Sequence, residues 1–315
     1  MTQQLEVEAV EVSNPAPSSA LIPLFIGIMI LSCSAIFTRL SEQELSPLAT
    51  IFNRFWIASV VLSFGSGIRS WKQQKNPDAP SKEPFSWVEW GLLFVLAIAI
   101  SARAGSWAWS LTQTSVANSN LLHNMTPIFA TLGGWLFLGH SFGKRYLLGL
   151  LLAISGVIAI GVQDLNLTSD SFYGDVAALM SSVFYAVNFL IIEKLRSKMS
   201  TTAIMTWSCV FVSAILLPGI LFTGDSIVPV SSSVWIAILC LGILSQVIGQ
   251  GILAFVLNRM KSGHVSLFLL LEPIITALLA WVIFGESLSP SNWFAFVIVL
   301  MGLYLSNSSE GIEHA

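Results

Sequence analysis

Residues 263–287 read GHVSLFLLLEPIITALLAWVIFGES, an apolar run long enough to cross a bilayer, which takes about 20 residues as helix. One acidic residue, Glu272, stands in its middle, and beside it Pro273 removes a backbone donor. The same spacing recurs upstream. When residues 108–156 are laid on 254–302 at a constant offset of 146, Ala108 and Leu111 fall on Ala254 and Leu257, and Pro127 on Pro273. In the same register Trp135 falls on Trp281, Gly139 on Gly285, Ser141 on Ser287 and Gly156 on Gly302. Further upstream, Ala49 and Ser59 fall on Ala203 and Ser213 at an offset of 154. The chain therefore reads as a duplicated membrane protein.

Composition supports this. The 315 residues are 55% hydrophobic and 10% charged, with a mean hydropathy of +0.79, against about 25% charged residues in an ordinary soluble domain. A soluble globular protein is excluded, and so are a disordered chain and a nucleic-acid binder, which need a solvating or basic excess of charge. Cys33, Cys209 and Cys240 lie inside apolar runs without metal-ligand spacing and read as small apolar fillers. Residues 1–20 carry Glu6, Glu8 and Glu11 but no Lys or Arg. They lack the basic start of a cleaved leader, so a disordered cytoplasmic N-terminus is expected there.

Ten apolar runs can be cut, at about 21–39, 47–67, 87–109, 116–138, 145–162, 174–193, 203–223, 234–257, 263–284 and 291–306. They are continuous rather than alternating, which favours helices over a barrel. Eleven of the 14 basic residues fall in alternate connections: Arg69, Lys72, Lys75 and Lys82; Lys144 and Arg145; Lys194, Arg196 and Lys198; Arg259 and Lys261. The other connections carry Glu42, Glu44, Asp164, Asp170, Asp225 and Glu286, with Arg39 at the end of the first run. By the positive-inside rule both termini, including a short tail at 307–315, are expected to be cytoplasmic. The expected fold is thus all-α and polytopic. Ten transmembrane helices fall into two five-helix halves, 21–162 and 172–306, joined by a hinge near 163–171. Since five is odd, the second half enters the membrane inverted.

Leu271-Glu272-Pro273, followed by Trp281, Phe284-Gly285-Glu286 and Gly302, resembles the signature of the drug/metabolite transporter superfamily, specifically its EamA-type members. The resemblance covers nearly all of residues 21–306 and departs from the pattern at Gly139-His140, where Gly-Glu is usual. It implies a plasma-membrane secondary transporter, in a bacterium, that exports amino acids or related metabolites.

The residues carry their own reading. Pro127 and Pro273 free carbonyls in mid-helix, which suits helices facing the protein interior, as structural kinks or as kinks that also line a pathway. Glu286 is expected to cap or pair at the outer end of its helix. Ionisable groups inside the membrane are costly and point to function. They are Arg54, Arg103 and His123 in the outer half and Glu272 near the midplane. Arg54 either snorkels or faces the interior. Arg103, in the small-residue stretch Ser101–Ser106, either pairs with Glu272 or meets a substrate anion. His123, with Asn120 and Asn124, offers donors and acceptors within one turn. Gln246 and Gln250 share a helix face and either bind a polar substrate or join helices. Asn188, next to Tyr185, and Trp107 with Trp109 either line a cavity or, for the aromatic residues near a helix end, belong to the interfacial belt.

Several letter patterns fail in context. Gly249–Ala254 resembles a dinucleotide loop but lies inside a membrane span, and no GxxxxGK[ST] or HExxH occurs. The glycosylation pattern at Asn166 depends on the host. The expected protein is a cofactor-free and metal-free secondary transporter, not an enzyme, working by alternating access on a small polar metabolite, an amino acid or organic anion. Protons are the candidate coupling ion, through Glu272 or His123. The lipid bilayer is its other partner, nucleic acid is not one, and either a monomer or a homodimer suffices. The alternative reading is a membrane scaffold or sensor that does not transport.

Overall fold

The computed structural model describes residues 18–74, 85–114, 116–161, 172–284 and 290–307, and among these every regular element is helical. The expectations placed on residues 1–17, the 163–171 hinge, Lys75, Lys82, Asn166, Glu286 and the 308–315 tail lie outside the described residues.

The first half comprises α1 (Ser18–Ser32), α2 (Ser34–Ser41), α3 (Pro47–Gln74), α4 (Trp87–Gln113), α5 (Val116–His123), α6 (Thr126–Leu138) and α7 (Lys144–Gly161). The second comprises α8 (Phe172–Arg196), α9 (Thr201–Thr223), α10 (Ser232–Cys240), a π-helical segment (Leu241–Gly249), α11 (Gln250–Val256), α12 (Ser262–Phe268), α13 (Leu271–Phe284) and α14 (Pro290–Asn307). Among the described residues, seven stretches are long and apolar enough to cross a membrane: Ala20–Ser41, Pro47–Gly67, Trp87–Gln113, Phe172–Arg196, Thr201–Thr223, Ser232–Val256 and Ser262–Leu279. The protein is therefore an all-helical, polytopic membrane protein. The runs expected at 116–138, 145–162 and 291–306 are also helical but are not among these seven.

Local chemistry sets the helix ends. Ser86 accepts from the Glu89 amide while the Glu89 carboxylate accepts from the Ser86 amide, a reciprocal cap that starts α4. Ser200 and Ser231 cap α9 and α10 in the simpler way. α6 and α9 end on Gly139 and Gly224, whose φ of 68° and 70° suits glycine.

α3 packs on α9 and on the π segment, α4 on α8 and α9, and α1 on the π segment, α11 and α13. α6 packs on α8 and α12, and α7 on α14. The α7–α14 crossing depends on small residues. A Cβ added at Gly149 would lie 2.5 Å from the Gly302 carbonyl oxygen, and one at Gly302 would lie 2.5 Å from the Ala153 amide. Backbones approach this closely only where side chains are absent. The outer surface is apolar, with Phe137, Phe222, Trp87, Val230 and Tyr304 among its most exposed side chains, as contact with lipid requires.

Pro127 and Pro273 do not kink continuous helices. Each lies in the first turn of a new helix after a two-residue break, at Asn124-Met125 and Leu269-Leu270. Proline lacks the donor that a first turn leaves unused anyway, so a break accommodates it more cheaply than a bend.

Candidate functional site

The two breaks deliver polar residues to the middle of the bundle. Before Pro127, the chain tightens through bonds from the Asn124 amide to the Asn120 carbonyl and from the Met125 amide to the Leu122 carbonyl, at 3.0 and 3.1 Å. The His123 carbonyl, which residue 127 would cap in an unbroken helix, instead accepts from the Thr126 hydroxyl at 2.8 Å. Before Pro273, the corresponding Leu269 carbonyl is taken by the Glu272 amide at 2.9 Å. Thr276 and Ser32 then brace α13 against α1, the Thr276 hydroxyl donating to the Ser32 carbonyl at 3.2 Å.

Tyr185, in the middle of α8, joins the residues these elements present. The Arg103 guanidinium lies over its ring, 4.6 Å from the centroid, a cation–π contact of the kind arginine favours. The His123 ring stacks on it at 5.6 Å and 13°, and Gln250 lies close to the Tyr185 hydroxyl. His123 is held further by Nδ1 at 2.8 Å from the Ser181 hydroxyl, one turn before Tyr185. Arg54 donates from Nε to the Gln246 carbonyl oxygen at 2.9 Å, and the Gln246 amide reaches Cys209 Sγ at 3.9 Å. Cys209 is thus a weak acceptor behind the site as well as an apolar filler.

The Glu272 carboxylate completes the cluster with no direct partner among the described residues. The charges of Arg54 and Arg103 both act on it, yet no nitrogen–oxygen ion pair within 4.0 Å joins it to either among the described residues. The Arg103–Glu272 pair, one of the two readings of Arg103, is therefore not in contact. Arg54, Arg103, His123, Tyr185, Gln250 and Glu272 all keep partial exposure, whereas Gln246 is buried. Among the described residues, Arg103 Nε and Trp107 Nε1 in the cluster, and Asn188 Oδ1 one turn along α8 from Tyr185, are buried and unbonded. Such atoms are rare in folded proteins and call for a partner.

Six of the seven candidate residues thus converge, and Asn124 does not. Its side-chain amide turns back to the Asn120 carbonyl at 2.8 Å, and Asn120 is exposed. Of the tryptophans, Trp107 sits 6.2 Å from His123, while Trp109 is 50% exposed. Tyr185 is central where the sequence suggested only a neighbour of Asn188. Its signal was available, since a chain with four tyrosines carries this one in mid-span, with Ser181 and Asn188 on the same helix face. The described residues contain no cluster of three or more His, Cys, Asp or Glu able to hold a metal ion.

The two ends of the bundle differ. At one end lie the described basic connections, where Lys198 approaches Glu89 at 4.0 Å. At the other, Ser46 donates to Asp225 at 2.6 Å, and Thr114 to Asp175 at 2.7 Å. There Glu44 also accepts from the Val230 and Ser231 amides. Hydrogen bonds from the Ser231 side chain and from these amides hold the Glu44 carboxyl below its ordinary range.

The sequence profile of the EamA-like transporter family matches residues 18–162 and again 172–308. An "Uncharacterized transporter" of Archaeoglobus fulgidus is 25% identical over 292 residues, covering 91% of this chain and 96% of that protein. A protein of Escherichia coli named "Probable amino-acid metabolite efflux pump" is 25% identical over 197 residues, 60% of this chain and 66% of its own. The "Pseudopaline exporter CntI" of Pseudomonas aeruginosa is 25% identical over 178 residues, 56% and 61%. A solved crystal structure superposes with a TM-score of 0.78 at 16% identity, covering 92% of this chain and 98% of that one, a likeness of fold. The chain belongs to the EamA-like transporter family: it is a membrane transporter, not an enzyme.

Proposed function

We propose, with membership of the EamA-like transporter family as the premise, that this protein moves a small carboxylate-bearing metabolite across a bacterial plasma membrane. The proposed carrier has ten spans in two inverted five-helix halves. Exchanging the halves carries the α4–α8 packing onto that of α1 with the π segment and α11, and α4–α9 onto α3 with the π segment. It carries α6–α8 onto α13–α1, and returns α3–α9 and α7–α14 to themselves. This is the pattern a two-fold axis in the membrane plane would produce, and alternating access is rocking of the halves about the site on that axis.

One observation carries the substrate class: two guanidinium groups and one carboxylate converge in mid-bundle, and the carboxylate has no ion-pair contact. A structural cluster would have paired them, because an unpaired charge away from water is costly. Two cations against one anion suit a substrate with one carboxylate more than its ammonium groups, or a zwitterion with a coupling proton. Arg103 would take the carboxylate in a forked contact, Tyr185 would hold Arg103 flat, and Glu272 would take an ammonium or the proton. In the relatives named as exporters, efflux is the direction their names give, and efflux is the direction proposed here. The cytoplasmic placement of both termini follows from the basic connections.

Counterflow in proteoliposomes tests this reading. Vesicles loaded with amino acids, dicarboxylates or neutral sugars are assayed for uptake of the matching radiolabel, with Arg103→Ala and Glu272→Gln alongside. Carboxylate counterflow lost in Arg103→Ala is expected. Counterflow of sugars alone, or carboxylate counterflow indifferent to both variants, rejects it.

A further inference from the structure

The basic end of the bundle carries a second polar cluster that the central site does not use. His140, just past α6, places Nε2 3.0 Å from Oε1 of Glu193, near the end of α8. The other oxygen of Glu193 accepts from the Ser262 amide at 2.8 Å, at the start of α12. The adjoining Lys261 donates from Nζ to the Ser141 carbonyl at 3.2 Å. One carboxylate, 16% exposed, therefore ties the end of a first-half helix to two helix ends of the second half. The His140 ring is seated against Gly134, where an added Cβ would lie 2.7 Å from Nδ1. α6 and α12 also pack together here, while their counterparts at the acidic end, α13 and α5, do not pack to the same extent among the described residues. The basic end is thus the more closely packed of the two among the described residues.

The duplication explains the choice of residues. At the offset of 146 His140 corresponds to Glu286, and at the offset of 154 Glu193 corresponds to Arg39. In both pairs of positions the first half supplies the base and the second half the acid. The departure of position 140 from the Gly-Glu pattern thus has a reason, since a glutamate there would oppose Glu193.

We infer that His140, Glu193 and the Ser262 amide form the latch that holds the basic end of the transporter shut, and that it must part for the site to open on that side. The inference rests on the transport reading for its role, but its test needs no substrate. Spin labels at Lys144→Cys and Ser197→Cys, on an otherwise cysteine-free protein in nanodiscs, report the separation of the halves at this end by electron double resonance. His140→Glu sets a carboxylate against that of Glu193 and is expected to raise the long-distance population by about tenfold, the shift in a two-state balance that one lost charge-assisted bond implies. His140→Arg, which copies the base at position 39, is expected to lower it below native. The double variant His140→Glu/Glu193→Arg is expected to bring it back towards native even if His140→Glu alone unfolds. Unchanged distances in His140→Glu, both single variants moving the same way, or no recovery in the double variant would each overturn the latch. A protein that showed these shifts but bound no metabolite would count against the transport reading instead.

Discussion

The break between α5 and α6 and the break between α12 and α13 are the same device used twice. In each, a proline follows a two-residue interruption, and the carbonyl it cannot cap, of His123 or Leu269, finds a local donor. What differs is the residue delivered. The first break presents His123 beside the Arg103–Tyr185 stack, while the second presents Glu272, whose counterpart at the offset of 146 is Thr126. The backbone device is the same in both halves and the chemistry it presents differs. The first half supplies Arg54, Arg103 and His123, and the second Tyr185, Gln246, Gln250 and Glu272. On the proposed pseudo-two-fold axis the candidate site is chemically polarised in this way, which would let it orient a substrate with a charge at one end.

The largest test of that polarity is a pair of substitutions. Arg103→Ala is expected to weaken binding of carboxylate ligands by about 100-fold, the cost of removing one partner of a buried charged contact. Glu272→Gln should weaken only ligands that carry an ammonium, leaving simple carboxylates unaffected or tighter. Calorimetric titration of both variants with an amino acid and its deaminated analogue separates the two roles, and equal losses for both ligands would erase the polarity.

A second test concerns what the halves share. Gly156→Leu and Gly302→Leu place bulk at corresponding points of the α7–α14 crossing, where even a Cβ would lie 2.7 Å from Val299 and 2.5 Å from the Ala153 amide. Each is expected to destabilise by about 1–3 kcal/mol through overpacking, seen as a lower melting temperature in detergent. A loss in only one would mean that the crossing is not shared equally. Smaller still, Pro273→Ala should lower transport by several-fold and Pro127→Ala by less. An amide at 273 can compete for the Leu269 carbonyl and turn Glu272 away, whereas the His123 ring is fixed independently by Ser181 and Tyr185. The smallest effect belongs to Glu44. Its carboxyl titrates lower when folded, so it contributes stability above its unfolded pKa that is lost as pH falls through the folded value. Glu44→Gln should therefore flatten the acid side of a melting-temperature profile slightly, and an unchanged slope would show that these bonds contribute nothing.

The helical membrane class was legible because hydrocarbon leaves a chain few alternatives: apolar length and the absence of alternation suffice. The candidate cluster was legible through cost, since Arg54, Arg103, His123 and Glu272 are expensive wherever the membrane is dry, and the structure gathers all four, though their role in transport is a proposal. Tyr185 and Cys209 were harder to assign, because an apolar ring or thiol in a span is ordinary until its neighbours are known. Asn124 shows the reverse error: sharing a turn with His123 did not place it in the cluster, as its own helix satisfied it first. The proline breaks were read as bends because sequence gives the missing donor but not which neighbouring amide or hydroxyl claims the freed carbonyl. His140 stood out as a departure from a pattern, and its partner, 53 positions on at Glu193, emerged only from the packing of α6, α8 and α12.

The most direct measurement is a thermal-shift screen of the purified protein against amino acids, organic acids, sugar phosphates and nucleosides, repeated with Arg103→Ala and Glu272→Gln. A ligand that binds only the folded state raises the melting temperature by mass action. The account predicts a rise with a carboxylate-bearing metabolite that disappears in Arg103→Ala, while that variant alone melts close to native. A rise that survives in Arg103→Ala, or no rise with any carboxylate while both variants are strongly destabilised, would contradict it and make the central cluster a structural one.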